Sequence, residues 1–130
     1  AEDPRSHAQG DEGMTAADAL RDFISQVLPG WRLQFGRWMD GSETARYCVI
    51  RPVGGLPMEL VREPQFSVAF IGGKNDTEHA VSAVAEAVIS AMQIGSGAAV
   101  YFQPSEPVFI ATSDGRPMFE LAVSAIFNLN

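Results

Sequence analysis

The last third of the chain constrains the fold more than any other stretch. Ser105-Glu106-Pro107-Val108-Phe109-Ile110-Ala111-Thr112 leads into Ser113-Asp114-Gly115-Arg116, and Pro117-Met118-Phe119-Glu120-Leu121-Ala122-Val123-Ser124-Ala125-Ile126-Phe127 follows. Two apolar runs on either side of an Asp-Gly pair predict a β-hairpin, because glycine adopts the positive φ that a tight turn demands. No side chain in this hairpin is placed to react, which points to contact rather than catalysis.

Upstream, two helices and four further strands are predicted. Residues 1–13 form a polar leader with Pro4, Gly10 and Gly13, lacking apolar periodicity; it is expected to be disordered and appended, with Met14 as the natural start. Residues 14–130 are then a single domain. From Thr15, a capping candidate with Asp18 at the third helical position, Leu20, Phe23, Ile24, Val27 and Leu28 form one stripe, and Pro29-Gly30 stops the helix. Trp31, Leu33 and Phe35 alternate with Arg32 and Gln34 as a half-buried strand does. Asp40 to Glu43 reads as a loop, residues 46–51 as a strand cut off by Pro52, and Val53-Gly54-Gly55-Leu56-Pro57 as a flexible connection.

Gln65 to Ile71 is a strong strand ending at Gly72-Gly73. Asn75 and Glu78 match a capping box, with Asp76 and Thr77 as competing caps, ahead of a helix that buries Ala80, Val81, Val84, Ala85, Val88, Ile89 and Met92 and ends at Gly95-Ser96-Gly97. Ala98 to Gln103 and Val108 to Thr112 are strands separated by Pro104 and Pro107, and Met118 to Phe127 is the last and longest. Strands on both sides of a central helix predict an α+β fold: a mixed, mainly antiparallel sheet with two helices packed on one face. Trp31, Phe35, Phe66, Phe70, Tyr101, Phe109, Phe119 and Phe127 are expected to fill the core.

Composition narrows the partners. The chain has 130 residues, 46% of them hydrophobic, and a formal charge of −7 from 16 acids against 9 bases. It remains acidic without the leader. Lys and Arg supply the affinity for phosphate backbones, so a specific grip on nucleic acid is not expected. Cys48 is the single cysteine, which rules out an intrachain disulfide, and it lies in an apolar strand pattern as a small core residue. No apolar run approaches the roughly 18–20 residues of a membrane span. No membrane partner and no secretion signal are therefore expected.

The familiar chemical motifs are incomplete. Gly72-Gly73-Lys74 ahead of a helix invites a phosphate-loop reading, but Asn75 follows the lysine and Ala69-Phe70-Ile71 stands where the loop would be. A strand-to-helix turn is the reading adopted. His7 lies in the leader and His79 in a first helical turn, without the spacing of a zinc site. Ser96, between two glycines, lacks the outer spacing of a nucleophile elbow. Glu59, Glu63, Glu106 and Glu120 read as surface charges. No catalytic, metal or cofactor-binding residue is assigned and no cofactor is expected. Trp38 and Met39 end an arm beside Arg37 and Asp40; Trp, Met and Arg are enriched at interfaces, so Arg37, Trp38 and Met39 are contact candidates. Arg51 and Arg62, flanking the Gly/Pro connection, join them as candidates for pairing with a neighbouring subunit.

One resemblance sharpens this picture. Phe35-Gly36-Arg37-Trp38-Met39-Asp40, then Tyr47-Cys48-Val49-Ile50 running to Gly54-Gly55, resembles the small head–tail proteins of long-tailed bacteriophages, the tail terminators, called minor capsid proteins in some families. Phe66-Ser67-Val68-Ala69-Phe70-Ile71 before a long helix, then Val108-Phe109-Ile110 and Asp114-Gly115-Arg116-Pro117-Met118-Phe119, keep the same order over residues 14–130. Gly41-Ser42 stands where the family's arm often carries proline. The resemblance implies a non-enzymatic virion protein at the head-proximal end of the tail, assembled in the bacterial host cytoplasm. It implies a homohexameric ring that caps the tail tube, ends its polymerisation and offers a surface to the head connector. The free subunit fits a monomer, since a ring that forms only on the tube avoids capping the wrong object. DNA would pass through the lumen without specific binding, and an acidic wall would repel its phosphates. Two other readings compete: another head–tail joining or tail-tube protein on a similar fold, and a small ligand-binding or hydrolytic α+β domain with a deep pocket of clustered acids or histidines.

Overall fold

A computed structural model describes residues 16–39, 41–53, 64–94, 100–112 and 114–127. Along the chain these form α1 (Ala16–Val27), β1 (Arg32–Phe35), β2 (Tyr47–Pro52), β3 (Gln65–Ile71), α2 (Glu78–Ile94), β4 (Val100–Pro104), β5 (Val108–Ala111) and β6 (Pro117–Phe127). The fold is α+β, with one sheet ordered β1-β2-β3-β6-β4 and β5 also paired to β6. All pairings are antiparallel except β1 with β2. The leader, Thr15, the Gly54-Gly55 connection and Gly95-Ser96-Gly97 lie outside the described residues.

The two-residue alternation of the strands sorts the core. Cys48 and Ile50 of β2, Phe66, Val68 and Phe70 of β3, Leu121, Val123 and Ala125 of β6, and Phe102 of β4 face one side. Both helices cover that side. Ala16, Leu20 and Ile24 recur every four residues and so share one stripe of α1; Val81, Ala85, Val88 and Met92, three or four residues apart, share one on α2. α1 reaches from β2 to β4, where Phe23 lies 5.5 Å from Phe102 between ring centroids.

β6 is the spine. Residues 118–124 pair with β3 on one side, while the other side serves β5 over 117–120 and β4 over 123–127. Pro107 and Glu106 interrupt this second edge, and Ser105 repairs the ladder: its amide donates to the Ala122 carbonyl at 2.8 Å, and its Oγ accepts the Ala122 amide at 2.9 Å. The predicted hairpin is present, with Gly115 at φ +83° in the turn.

The parallel β1–β2 pair has a consequence for everything between them. Parallel neighbours require the chain to travel back along their length. Residues 36–39 and 41–46 lie across the face away from the helices, where Trp38 and Ala45 pack with Tyr47, Val49, Ala69, Ile71 and Met118 as a second, smaller cluster.

Candidate assembly surfaces

A buried arginine ties the loops at one end of the sheet. Arg116, last residue of the hairpin turn, is 1% exposed. Its Nε donates to the Gly72 carbonyl at 3.0 Å and its Nη2 to the Ala45 carbonyl at 2.8 Å. The guanidinium lies 4.9 Å from the Trp38 ring centroid and 5.7 Å from that of Tyr47. One planar cation thus joins the β5–β6 turn, the end of β3 and the approach to β2, and the aromatic faces compensate part of its desolvation.

A second tie lies beside it. Arg46 donates to both carboxylate oxygens of Asp76 at 2.9 and 2.8 Å, and Asp76 Oδ2 also accepts the Gly73 amide at 2.7 Å. The Arg46 hydrogen bonds hold the Asp76 carboxyl below the usual carboxylate range, and the Gly73 amide adds to this. Gly72 N–H donates to the Pro117 carbonyl and Lys74 N–H to the Glu43 carbonyl. All three amides of Gly72-Gly73-Lys74 therefore serve protein acceptors, and the segment is a strand-to-helix turn. Gly73 is required because a Cβ there would collide with the Thr44 backbone carbonyl. Thr77, rather than Asn75, caps α2: its Oγ1 accepts the Ala80 amide at 3.1 Å. Asp76 is committed to Arg46, and His79 is exposed in the first turn of α2.

The crossover presents Met39 on a held backbone. The Gln34 side-chain amide makes two 2.9 Å hydrogen bonds to Met39, one to its carbonyl and one from its amide. Gly41 N–H donates to the Tyr47 hydroxyl at 2.7 Å. With its backbone fixed at both sides, Met39 displays a side chain 66% exposed.

Beyond the crossover, the sheet face away from the helices is shallowly concave. Two adjoining hollows of about 170 and 420 Å³ share Arg51, Ser67 and Glu120. Ser67 Oγ donates to Glu120 Oε2 at 2.6 Å, and Arg51 Nη2 reaches the same oxygen at 3.5 Å. Around that polar centre the floor is apolar, with Val49, Ala69 and Met118 on one side and Val108 on the other. Among the described residues, no three His, Cys, Asp or Glu side chains gather as a metal site would need. Burial pushes the Cys48 thiol far up, away from reactivity.

The sheet edges carry the exposed aromatics. Phe35 on β1 is 43% exposed, Tyr101 on β4 48%, and Phe109 on β5 43%, next to Val108 at 58%. These three aromatics were expected in the core together with Trp31, Phe66, Phe70 and Phe119, which are wholly or partly buried. Phe35 and Phe109 keep the helix-side face, but among the described residues no further strand lies beside them to cover it, while Tyr101, next to inward Phe102, points to the opposite face. The side chain of Phe127 lies outside those described.

Of the five contact candidates, Arg37 and Met39 are exposed on the crossover and Arg51 is exposed at the hollow's rim. Trp38 turns inward onto Arg116 and Tyr47, 6.0 Å from the Tyr47 ring. Arg62 lies outside the described residues. Sequence reasoning passed over Arg116, Gln34 and Ser67 and read Glu120 as a surface charge, whereas it is half-buried and bonded to Ser67; an arginine directly after Asp-Gly gave no sign of being buried.

Taken together, the described residues form a displayed crossover, an open sheet face and two uncovered edges, the features of a small α+β assembly protein. Residues 14–129 match the phage tail termination protein family, and the chain belongs to it. Its place is the tail of a phage virion. No curated protein matches the sequence.

Proposed function

We propose that this protein caps the tail tube at its head-proximal end, ends tube polymerisation and provides the surface to which the head attaches. It does so as a homohexameric ring around a lumen through which DNA passes, and no bond is made or broken. The observation that carries the reading is the family match over residues 14–129. The uncovered edges and the displayed Met39 support it, because a subunit that ends a polymer needs surface reserved for neighbours. The net charge of −7 suits a channel that does not retain DNA.

Electron microscopy of purified protein incubated with tail tubes tests this. The expected result is a ring on one end of each tube. Rings along the tube wall, at both ends, or incorporated within the shaft would contradict it and favour a tube or joining protein.

A further inference from the structure

We propose that copies of this chain join head to tail by continuing the sheet, the free edge of β1 in one copy lying against the free edge of β5 in the next, with Phe35 beside Phe109 and Arg37 facing Glu106. The inference rests on the ring reading above and specifies its contact. Among the described residues, no strand extends the sheet beyond β1 or beyond β5. Each edge strand is four residues long. A free strand edge carries unpaired amides and carbonyls, which makes it a template for another strand.

Three observations favour the mixed pairing over a like-with-like one. First, Phe35 is registered with Ile50 and Phe109 with Phe119, and both partners belong to the helix-side core. In a continued sheet the two rings would therefore emerge on the same face and abut. Second, the edges differ in charge. Arg21 stacks over the Phe35 ring at 5.8 Å and exposed Arg37 follows β1, whereas exposed Glu106 and Asp114 bracket β5. Pairing β1 with β1, or β5 with β5, sets like charges together. Third, the two edges lie on opposite sides of the sheet. A contact between different patches on opposite sides is heterologous, and such contacts close into rings when the rotation between copies permits.

The test uses the full chain on tail tubes. Cys48 is fully buried, so thiol reagents meet little background. Phe35→Cys and Phe109→Cys are made singly and together, and a bismaleimide spanning about 8 Å covers the opposed and diagonal neighbours of adjacent strands. Mixed single variants are expected to give the 35–109 dimer in preference to 35–35 or 109–109. The double variant is expected to give a ladder ending at the ring. Arg37→Glu is expected to abolish the ladder, and Glu106→Arg in the same chain to restore it. Arg37→Cys with Glu106→Cys repeats the experiment should either aromatic replacement unfold the chain. Rings seen by microscopy with only same-site products, or none, would overturn the edge pairing and leave the ring standing. Absence of rings on any tube would overturn both.

Discussion

Arg116 and Asp76 show how single side chains fix where the loops sit. Replacing Arg116 with methionine leaves the Gly72 and Ala45 carbonyls without their donor. The expected loss is about 2–4 kcal/mol, read as a lower denaturant midpoint with an unchanged slope. Arg116→Lys should recover little of it, since an ammonium cannot serve both carbonyls while lying flat on Trp38. For Asp76 the dependence is on pH. Its carboxyl is held below its unfolded value mainly by Arg46, so the stability it contributes is present above about pH 4 and lost as the pH falls through the lowered folded value. Acid titration of the unfolding free energy should be shallower below pH 4 in Asp76→Asn than in the parent chain. An equal slope would remove Asp76 from the account.

Most elements were legible in the sequence because their signals are local. Gln65 to Ile71 has the bounds its apolar run predicts, and the Asp-Gly turn sits where expected. The cap of α2 is shifted by competition: Asp76 is drawn to Arg46, leaving Thr77 to start the helix. The parallel sense of β1 was not legible, because direction depends on which strand a segment finds and not on its own pattern. That one pairing decides that residues 36–39 and 41–46 cross the open face and that Trp38 turns inward. The repaired edge at Ser105 was equally hidden. Ser105→Ala removes the acceptor for the Ala122 amide. It should cost about 0.5–1.5 kcal/mol and raise hydrogen exchange at Ala122, leaving β3–β6 amides protected. Uniform loss of protection across the sheet would show that the break is not local.

For the molecule as a whole, the two faces of the sheet are covered unequally by the described residues. The helices cover the side bearing Val68, Phe70 and Leu121, while the crossover covers only part of the other. The sequence offers contact candidates only as a list, with no indication of where on the fold they lie. Arg37 and Met39 belong to a surface only because Gln34 holds the crossover, and the aromatic edges emerged only once the strand order was known. Met39→Asp, at an exposed position, should leave the unfolding free energy within about 0.5 kcal/mol of the parent. Tube capping by that variant should nonetheless fall, as judged by the fraction of tubes bearing a terminal ring. Normal capping would take Met39 out of the contact surface.

The central claim is that this chain stops a growing polymer by binding its end. The length distribution of tails, measured by electron microscopy from infections with and without a working copy of the gene, tests it most directly. Without the protein the account predicts tails that overrun their normal length and lack heads, and with the protein supplied in trans a return to one length. Headed tails of normal length in its absence would contradict it.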